Sequence, residues 1–295
     1  MSDTPPSKAR AVIVGGGVSG CSVAYHLSLL GWRDVVLLER RQLTCGTTWH
    51  AAGLIGQLRA TQSLTRLARY SAELYHSLKA ETGLDTGIRR NGSITVALTS
   101  DRMEEVRRQA ALARSFYIEV PEISPAEIGE RYPHLNLSGV VGGVFLPGDG
   151  QCDPANVAMA LAKGARQRDA QIFEGVKVTG FEQRYGRVTG IHWSRSDGDN
   201  AREGVIETDI VINCAGMWAR EFAAAAGINV PLHACEHFYI VSEPIDGLGQ
   251  LPVLRVPDEC AYYKEDAGKM MLGAFEPKAK PWGMDGIPEN FCFDQ

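Results

Sequence analysis

The chain has 295 residues, 44% of them hydrophobic and 22% charged, which suits a globular protein of one large domain or two modest ones. A formal net charge of −5 gives no electrostatic footprint for nucleic acid or for an anionic membrane surface. Seven cysteines (Cys21, Cys45, Cys152, Cys214, Cys235, Cys260 and Cys292) are scattered without a CxxC pair, which argues against a metal site or redox dithiol and for a reducing compartment. Residues 1–10 are polar and lack the apolar stretch of a secretory signal. No apolar run approaches the length of a membrane span. The expected location is cytoplasmic, or the mitochondrial matrix if the source is eukaryotic.

The first expected strand is Ala11–Val14, running into glycines and a helix from Val18 to about Leu30 that Gly31 stops. A second strand, Val35–Leu38, ends at Glu39, completing a βαβ start within about 30 residues. Amphipathic helices are expected over 63–81 and 101–115, with a strand at Ser93–Leu98 between them. Residues 142–147 read as a strand, followed by a turn at Gly148–Gly150 and a helix from Pro154 to about Gln167. The period then changes to two, giving strands at 171–183, 187–194 and 207–213 and a helix at 217–226. The remainder reads as strand at 235–242, 252–256, 260–264 and 269–274. Residues 276–295 are rich in Pro, Gly and acid and end abruptly, as an interrupted protein would.

Gly15-Gly16-Gly17-Val18-Ser19-Gly20 matches GxGxxG directly after a strand and before a helix. Gly15 permits a tight turn, Gly17 lets the backbone approach a pyrophosphate, and Gly20 allows the helix to pack closely on the strand. The N–H groups of Val18 and Ser19 at the helix tip offer partial positive charge to phosphates. Glu39, about twenty residues on, can accept hydrogen bonds from ribose hydroxyls and would repel a 2′-phosphate. Both FAD and NAD fit this fingerprint. Two later segments favour FAD: the strand Val176–Gly180, containing Val178, followed by a β-meander; and Val211–Ala219, a buried strand running through Cys214, Ala215, Gly216 and Trp218 into a helix start.

Together these segments resemble the D-amino-acid-oxidase-like family of FAD-dependent oxidoreductases. The stretch Leu43-Thr44-Cys45-Gly46-Thr47-Thr48-Trp49-His50-Ala51-Ala52-Gly53-Leu54 is similar to the flavin-attachment segment of the sarcosine and dimethylglycine dehydrogenase branch. The resemblance extends to residues 91–94, 149–154 and 213–219. It implies an α/β fold with a discontinuous Rossmann-type FAD-binding domain (1–60 and 150–228) and an inserted β-rich substrate domain (61–149 and 229–295), incomplete at the C-terminus. It also implies cofactor contacts from Arg40, Leu43, Thr44, Thr47, Thr48, Ala52 and Gly53, and a covalent flavin bond from His50. A neutral imidazole is a suitable nucleophile toward an electron-poor flavin methyl group.

The same resemblance points to His233–Tyr239, where His237 would lie over the flavin on an alternating strand shared with Cys235 and Tyr239. It points also to Tyr262, with Tyr263 as the spare. These two side chains would orient a substrate amine and favour its neutral form. The implied reaction is oxidative N-demethylation of a small N-methylated amino acid. Electron-transfer flavoprotein or oxygen would take the electrons, and tetrahydrofolate would accept the carbon in longer relatives. Two alternatives stay open: an FAD-dependent oxidase of another amine, and a non-catalytic subunit. The wording Ala234–Tyr239 also resembles the regulatory subunit of pyruvate dehydrogenase phosphatase, which lacks the histidine present here as His50.

Overall fold

β1 (Ala11–Val14) is apolar and buried at every position, as a strand covered on both faces must be. It leads into α1 (Val18–Leu29), which ends before left-handed Gly31, and then into β2 (Val35–Glu39). The short β3 (Leu54–Ile55) precedes α2 (Gln62–Thr82), whose first turn is capped by the Thr61 hydroxyl and whose end is the left-handed Gly83. There follow β4 (Ser93–Ala97), α3 (Ser100–Ser115), β5 (Glu122–Ile123), α4 (Pro125–Arg131), β6 (Gly142–Leu146), β7 (Gly150–Gln151) and α5 (Pro154–Arg166). Asp153 caps α5 by accepting from the Asn156 N–H at 3.0 Å, with Pro154 in the first turn. The second half is mostly strand: β8 (Gln171–Glu174), β9 (Lys177–Arg184), β10 (Arg187–Asp197), β11 (Asn200–Glu207) and β12 (Val211–Asn213), then α6 (Ala219–Ala224). β13 (Ala234–Cys235), β14 (Tyr239–Val241), β15 (Val253–Val256), β16 (Ala261–Asp266), β17 (Lys269–Ala274) and β18 (Pro281–Trp282) complete the order. These elements come from a computed structural model that describes residues 4–197, 200–288 and 291. Cys292 lies outside the described residues.

Two sheets organise the chain. The first is parallel, in the order β12-β1-β2-β8. The pleat sends Ile13, Val35 and Leu37 to one side, against α1 and α5. Val12, Val14, Val36 and Leu38 go to the other, against the antiparallel meander β9–β11 through Ile191, Trp193 and Ile206. Residues 61–149 read from sequence as part of the substrate half, yet α2 packs Leu74, Tyr75 and Leu78 into the core beneath α1 and α5.

The second sheet has the order β14-β17-β16-β15-β4-β6-β5. One face, with Ile94, Val96, Leu254, Val256 and Tyr263, buries apolar side chains against Ile128 of α4. By alternation the opposite face carries Ser93, Thr95, Arg255, Tyr262 and Lys264. That face is mixed: Val144 and Leu146 of β6 lie on it and pack against α3, while its polar side chains gather on β4, β15 and β16.

Several expected strands are broken. The run 171–183 divides at left-handed Gly175, where Val176 donates its N–H to the Glu39 carbonyl and the chain leaves the parallel sheet for the meander. The run 207–213 divides at a turn in which the Thr208 hydroxyl bonds across to Ile210. The run 235–242 also divides: β13 pairs with β18, β14 pairs with β17, and His237 belongs to neither. The expected continuous strand face shared by Cys235, His237 and Tyr239 is therefore absent. The helix expected over 217–226 is a 3-10 turn, Gly216–Trp218, followed by α6.

Candidate cofactor and substrate site

At the C-terminal ends of β1, β2 and β12 lies a crevice of about 460 Å³, the place where open α/β sheets bind ligands. Gly15, at φ +110°, makes the tight turn; a Cβ there would stand 2.3 Å from the Cys214 carbonyl oxygen. At Gly20 a Cβ would stand 1.9 Å from the Gly15 carbonyl oxygen, so glycine lets α1 rest on the loop. Gly17 is the N-cap of α1 and brings no side chain of its own to cap it. The α1 tip thus faces the crevice, with the Val18 N–H donating to the Thr48 hydroxyl at 3.0 Å.

Glu39 points into the same space. Its carboxylate accepts from the Gly16 N–H at 2.6 Å and from the Arg41 N–H at 2.9 Å, while lining the crevice. Oε1 also accepts from the Cys45 thiol at 3.8 Å, and Oε2 keeps a lone pair for a sugar hydroxyl. On the far wall the Arg40 guanidinium lies 4.0 Å over the Trp218 ring. The Trp218 indole N–H is buried with no hydrogen-bond partner among the described residues. A cradle of glycines, a helix tip with glycine at its N-cap, an acid at the end of β2 and an orphaned donor together fit a dinucleotide such as FAD.

Thirteen of the residues expected at the cofactor line this crevice: Gly15, Gly17, Val18, Ser19, Glu39, Arg40, Thr47, Thr48, Val178, Cys214, Ala215, Gly216 and Trp218. The other expected residues stand outside its lining. Gly20 supports it from behind. Leu43 is buried in the core under Gly16, and its N–H donates to Glu174. Thr44, left-handed at φ +71°, donates its N–H to the Gly16 carbonyl and braces the loop. Ala52 and Gly53 flank β3; a Cβ on Gly53 would meet the Cys152 carbonyl oxygen at 2.2 Å. Sequence reasoning missed Cys45, Lys177, Glu221, Phe222 and Ile287, which also line the crevice. Cys45 sits inside the recognised segment, and burial followed by the Glu39 charge pushes its thiol pKa up. Ile287 comes from far along the chain and has no local signal.

His50, Tyr262 and His237 meet through a linked series of rings. The His50 ring tilts against Trp49, with centroids 3.8 Å apart, and its Nδ1 lies 3.4 Å from the Tyr239 hydroxyl. Tyr239, Gly273 and Tyr262 are direct neighbours across β14, β17 and β16. Gly273 matters because a Cβ there would stand 2.0 Å from the Tyr262 ring; without one, the ring lies across the strand. Burial, followed by Tyr239, raises the Tyr262 phenol pKa. Tyr262 reaches Phe275 at 5.0 Å, and Phe275 stacks on His237 at 5.6 Å and 21°. His237 Nδ1 lies 3.5 Å from a Glu276 carboxylate oxygen. Tyr239 and Phe275 thus connect the three expected residues. Tyr263, the spare, turns to the apolar face and packs with the core there.

Among the described residues no three His, Cys, Asp or Glu side chains cluster as a metal site. No helix of the described residues is long and apolar enough to cross a membrane.

The family model described as DAO, FAD dependent oxidoreductase, matches residues 10–291. Over 98% of its length the chain is 38% identical to 4-methylaminobutanoate oxidase (formaldehyde-forming) of Paenarthrobacter nicotinovorans, and over 98% it is 37% identical to mitochondrial sarcosine dehydrogenase of Homo sapiens. It is 38% identical over 95% of its length to the mitochondrial pyruvate dehydrogenase phosphatase regulatory subunit of Mus musculus. It covers 34%, 31% and 32% of those proteins, about a third of each. Among solved structures, L-proline dehydrogenase from P. horikoshii superposes with a TM-score of 0.84 at 25% identity, over 93% of this chain and 71% of that one.

Proposed function

Since the chain belongs to the FAD-dependent oxidoreductase family, we propose that it forms the cofactor-binding part, and some of the substrate-binding part, of an enzyme that N-demethylates a small N-methylated amino acid of the sarcosine or dimethylglycine type. The observation that carries this reading is the series of rings from His50 through Tyr239, Tyr262 and Phe275 to His237. It draws together an attachment candidate and two amine-handling candidates that lie up to 212 residues apart in the chain (262 − 50).

When bound, FAD supplies the acceptor for a hydride from the N-methyl carbon. The α1 tip, with Thr47 and Thr48, would hold the pyrophosphate. Glu39 would take the ribose hydroxyls, and the Trp218 N–H would find its acceptor on the cofactor. His50 would hold the flavin covalently and so prevent its loss. The substrate amine must be neutral, because only its lone pair assists hydride departure. Tyr262 suits that need: its raised pKa keeps the phenol uncharged, so no phenolate stabilises an ammonium beside it. Phe275 adds an apolar surface that disfavours the charged amine, and His237, held near Glu276, can take up the proton it loses. The resulting iminium hydrolyses to formaldehyde or passes its carbon to tetrahydrofolate, and the electrons go to electron-transfer flavoprotein or to oxygen.

Denaturing the full-length protein tests the attachment. Yellow colour is expected to stay with the wild-type chain and to be released from His50→Ala; complete release from the wild type would remove the covalent bond from this account. Anaerobic bleaching by a panel of methylated amines tests the reaction itself. The identity shared with the phosphatase regulatory subunit favours a second reading, without catalysis. That reading expects neither retained colour nor bleaching.

A further inference from the structure

The cofactor crevice takes nearly all of its lining from the connections of the first sheet: the β1–α1 turn, the end of β2 and the loop after it, the start of β9, and residues 214–222. Two residues break that pattern. Ile287 and Phe291 also line it, and Ile287 stands 65 residues beyond Phe222 in the chain (287 − 222). Their segment has little regular structure to keep it there. Past β18 no further helix or strand forms among the described residues. Its own backbone bonds run from the Gly286 N–H to the Gly283 carbonyl at 3.2 Å and from the Phe291 N–H to the Pro288 carbonyl at 3.1 Å.

Side chains of α6 supply the grip instead. Arg220 Nη2 donates to the Met284 carbonyl at 2.9 Å and to the Gly283 carbonyl at 3.3 Å. The next residue, Glu221, accepts from the Ile287 N–H at 3.1 Å. The base of the segment is fixed separately. β18 pairs with β13, the Glu236 N–H donates to the Lys280 carbonyl at 2.9 Å, and Lys280 Nζ lies 2.7 Å from the Glu236 carboxylate. The two ends therefore differ in kind. The base is tied by strand pairing and an ion pair. The far end is tied by two side chains that are 28% and 37% exposed, and such bonds open at modest cost. Left-handed Gly283, between base and latch, lets the chain change direction there.

We propose that the segment running on from Gly283 through Ile287, with Phe291, is a strap over the FAD crevice, and that Arg220 and Glu221 are the positioning residues that latch it. A cofactor as long as FAD enters an open crevice and is kept by a closed one. Latched, the strap sets Ile287 and Phe291 as an apolar outer wall. Unlatched, it swings from β18 and lets the cofactor pass. Arg220 does not itself line the crevice, so its effect on FAD runs through the strap. The proposal rests on the cofactor of the family and not on the N-demethylation reading.

The test uses the full-length protein in a His50→Ala background, which leaves FAD exchangeable whether or not His50 bonds it, and follows flavin fluorescence during uptake and release. In Arg220→Met, FAD should leave about tenfold faster, because two charge-assisted bonds are lost. It should also enter about threefold faster, because the strap opens more often. Glu221→Ala should act in the same way, whereas Glu221→Gln keeps an acceptor oxygen and should stay within about twofold of the background. Ile287→Ser weakens the wall and spares the latch, so release alone should quicken. Simple damage to the crevice would speed release and slow entry; faster entry is the result that a merely structural role does not produce. Unchanged rates in folded Arg220→Met overturn the proposal, and so does faster release with unchanged or slower entry. A background chain that takes up no FAD overturns it too. A failure of methylated amines to bleach the flavin removes the N-demethylation reading and leaves the strap standing. If Arg220→Met does not fold, Glu221→Ala decides by the same two rates. If release is too fast to time, uptake by flavin-free chains that retain His50 decides.

Discussion

Glu39 holds two backbone donors and faces the crevice at once. Replacing it by Ala leaves the Gly16 and Arg41 N–H groups without an acceptor, at a cost of about 2 kcal/mol, and removes the carboxylate proposed to hold the ribose. Glu39→Ala should therefore lower the thermal midpoint of the apoprotein and weaken FAD binding more than tenfold, whereas Glu39→Gln keeps an acceptor oxygen and should retain most of the stability. Thermal melts with and without FAD check this; equal FAD affinity in Glu39→Ala would remove the residue from the site. At this scale the sequence was most legible where function needs only backbone. Gly15 and Gly20 announce themselves because an added Cβ would strike backbone at either position, and Gly17 because it completes the motif with them. The segment from Leu43 to Gly53 was less so: one short loop turns Thr47 and Thr48 toward the crevice and uses Leu43 and Thr44 as braces behind it, and residue type alone does not separate the two duties.

Strand pairing, rather than strand propensity, decides where Tyr262 stands. β17 contributes a glycine at the point where the ring crosses it. Gly273→Ala would drive a Cβ into that ring and turn Tyr262 out of line with Tyr239. The variant should lose about as much kcat/KM as Tyr262→Ala, and the double variant should lose little beyond either single one. Stopped-flow flavin reduction checks the cycle; simple additivity would show that the ring does not act through this packing. Gly20→Ala is the corresponding test of the first sheet. Its Cβ would meet backbone, not a movable side chain, so a loss of about 3 kcal/mol and of FAD binding is expected from a urea titration and a cofactor titration. The helices α1 and α5 were legible in the sequence, and so was β1, a short apolar run that glycines end. The alternation over 235–242 was not enough to reveal the break at His237, because periodicity does not name a partner, and β13 and β14 pair with different strands. α4 was overlooked although its signal was present: Ser124 and Glu127 form a capping box around Pro125.

The molecule as a whole places ionisable groups in the core that joins its first sheet to α1 and α5. Cys21 and Cys152 belong to that core, and burial pushes both thiols from an ordinary value of 9.0 up to about 12. Tyr132, beneath the second sheet, is shifted upward by burial as well. In each case the raised pKa means that the folded chain keeps a proton the unfolded chain gives up. Between pH 9 and about 12 the unfolded state therefore binds fewer protons than the folded one, and stability must fall as pH rises. Below pH 9 both states are protonated at these groups and their contribution is fully present. Urea midpoints should stay level from pH 7 to about 8.5 and then decline, steepening above about 10 as unfolded tyrosines begin to ionise. A thiol reagent at pH 8 separates this account from general alkaline damage. Cys21 and Cys152 should react only at the rate of unfolding, and exposed Cys235 at once. Prompt labelling of Cys21 and Cys152 in the folded protein would mean that the core between α1, α5 and the first sheet is open to water, and the alkaline decline would then need another source.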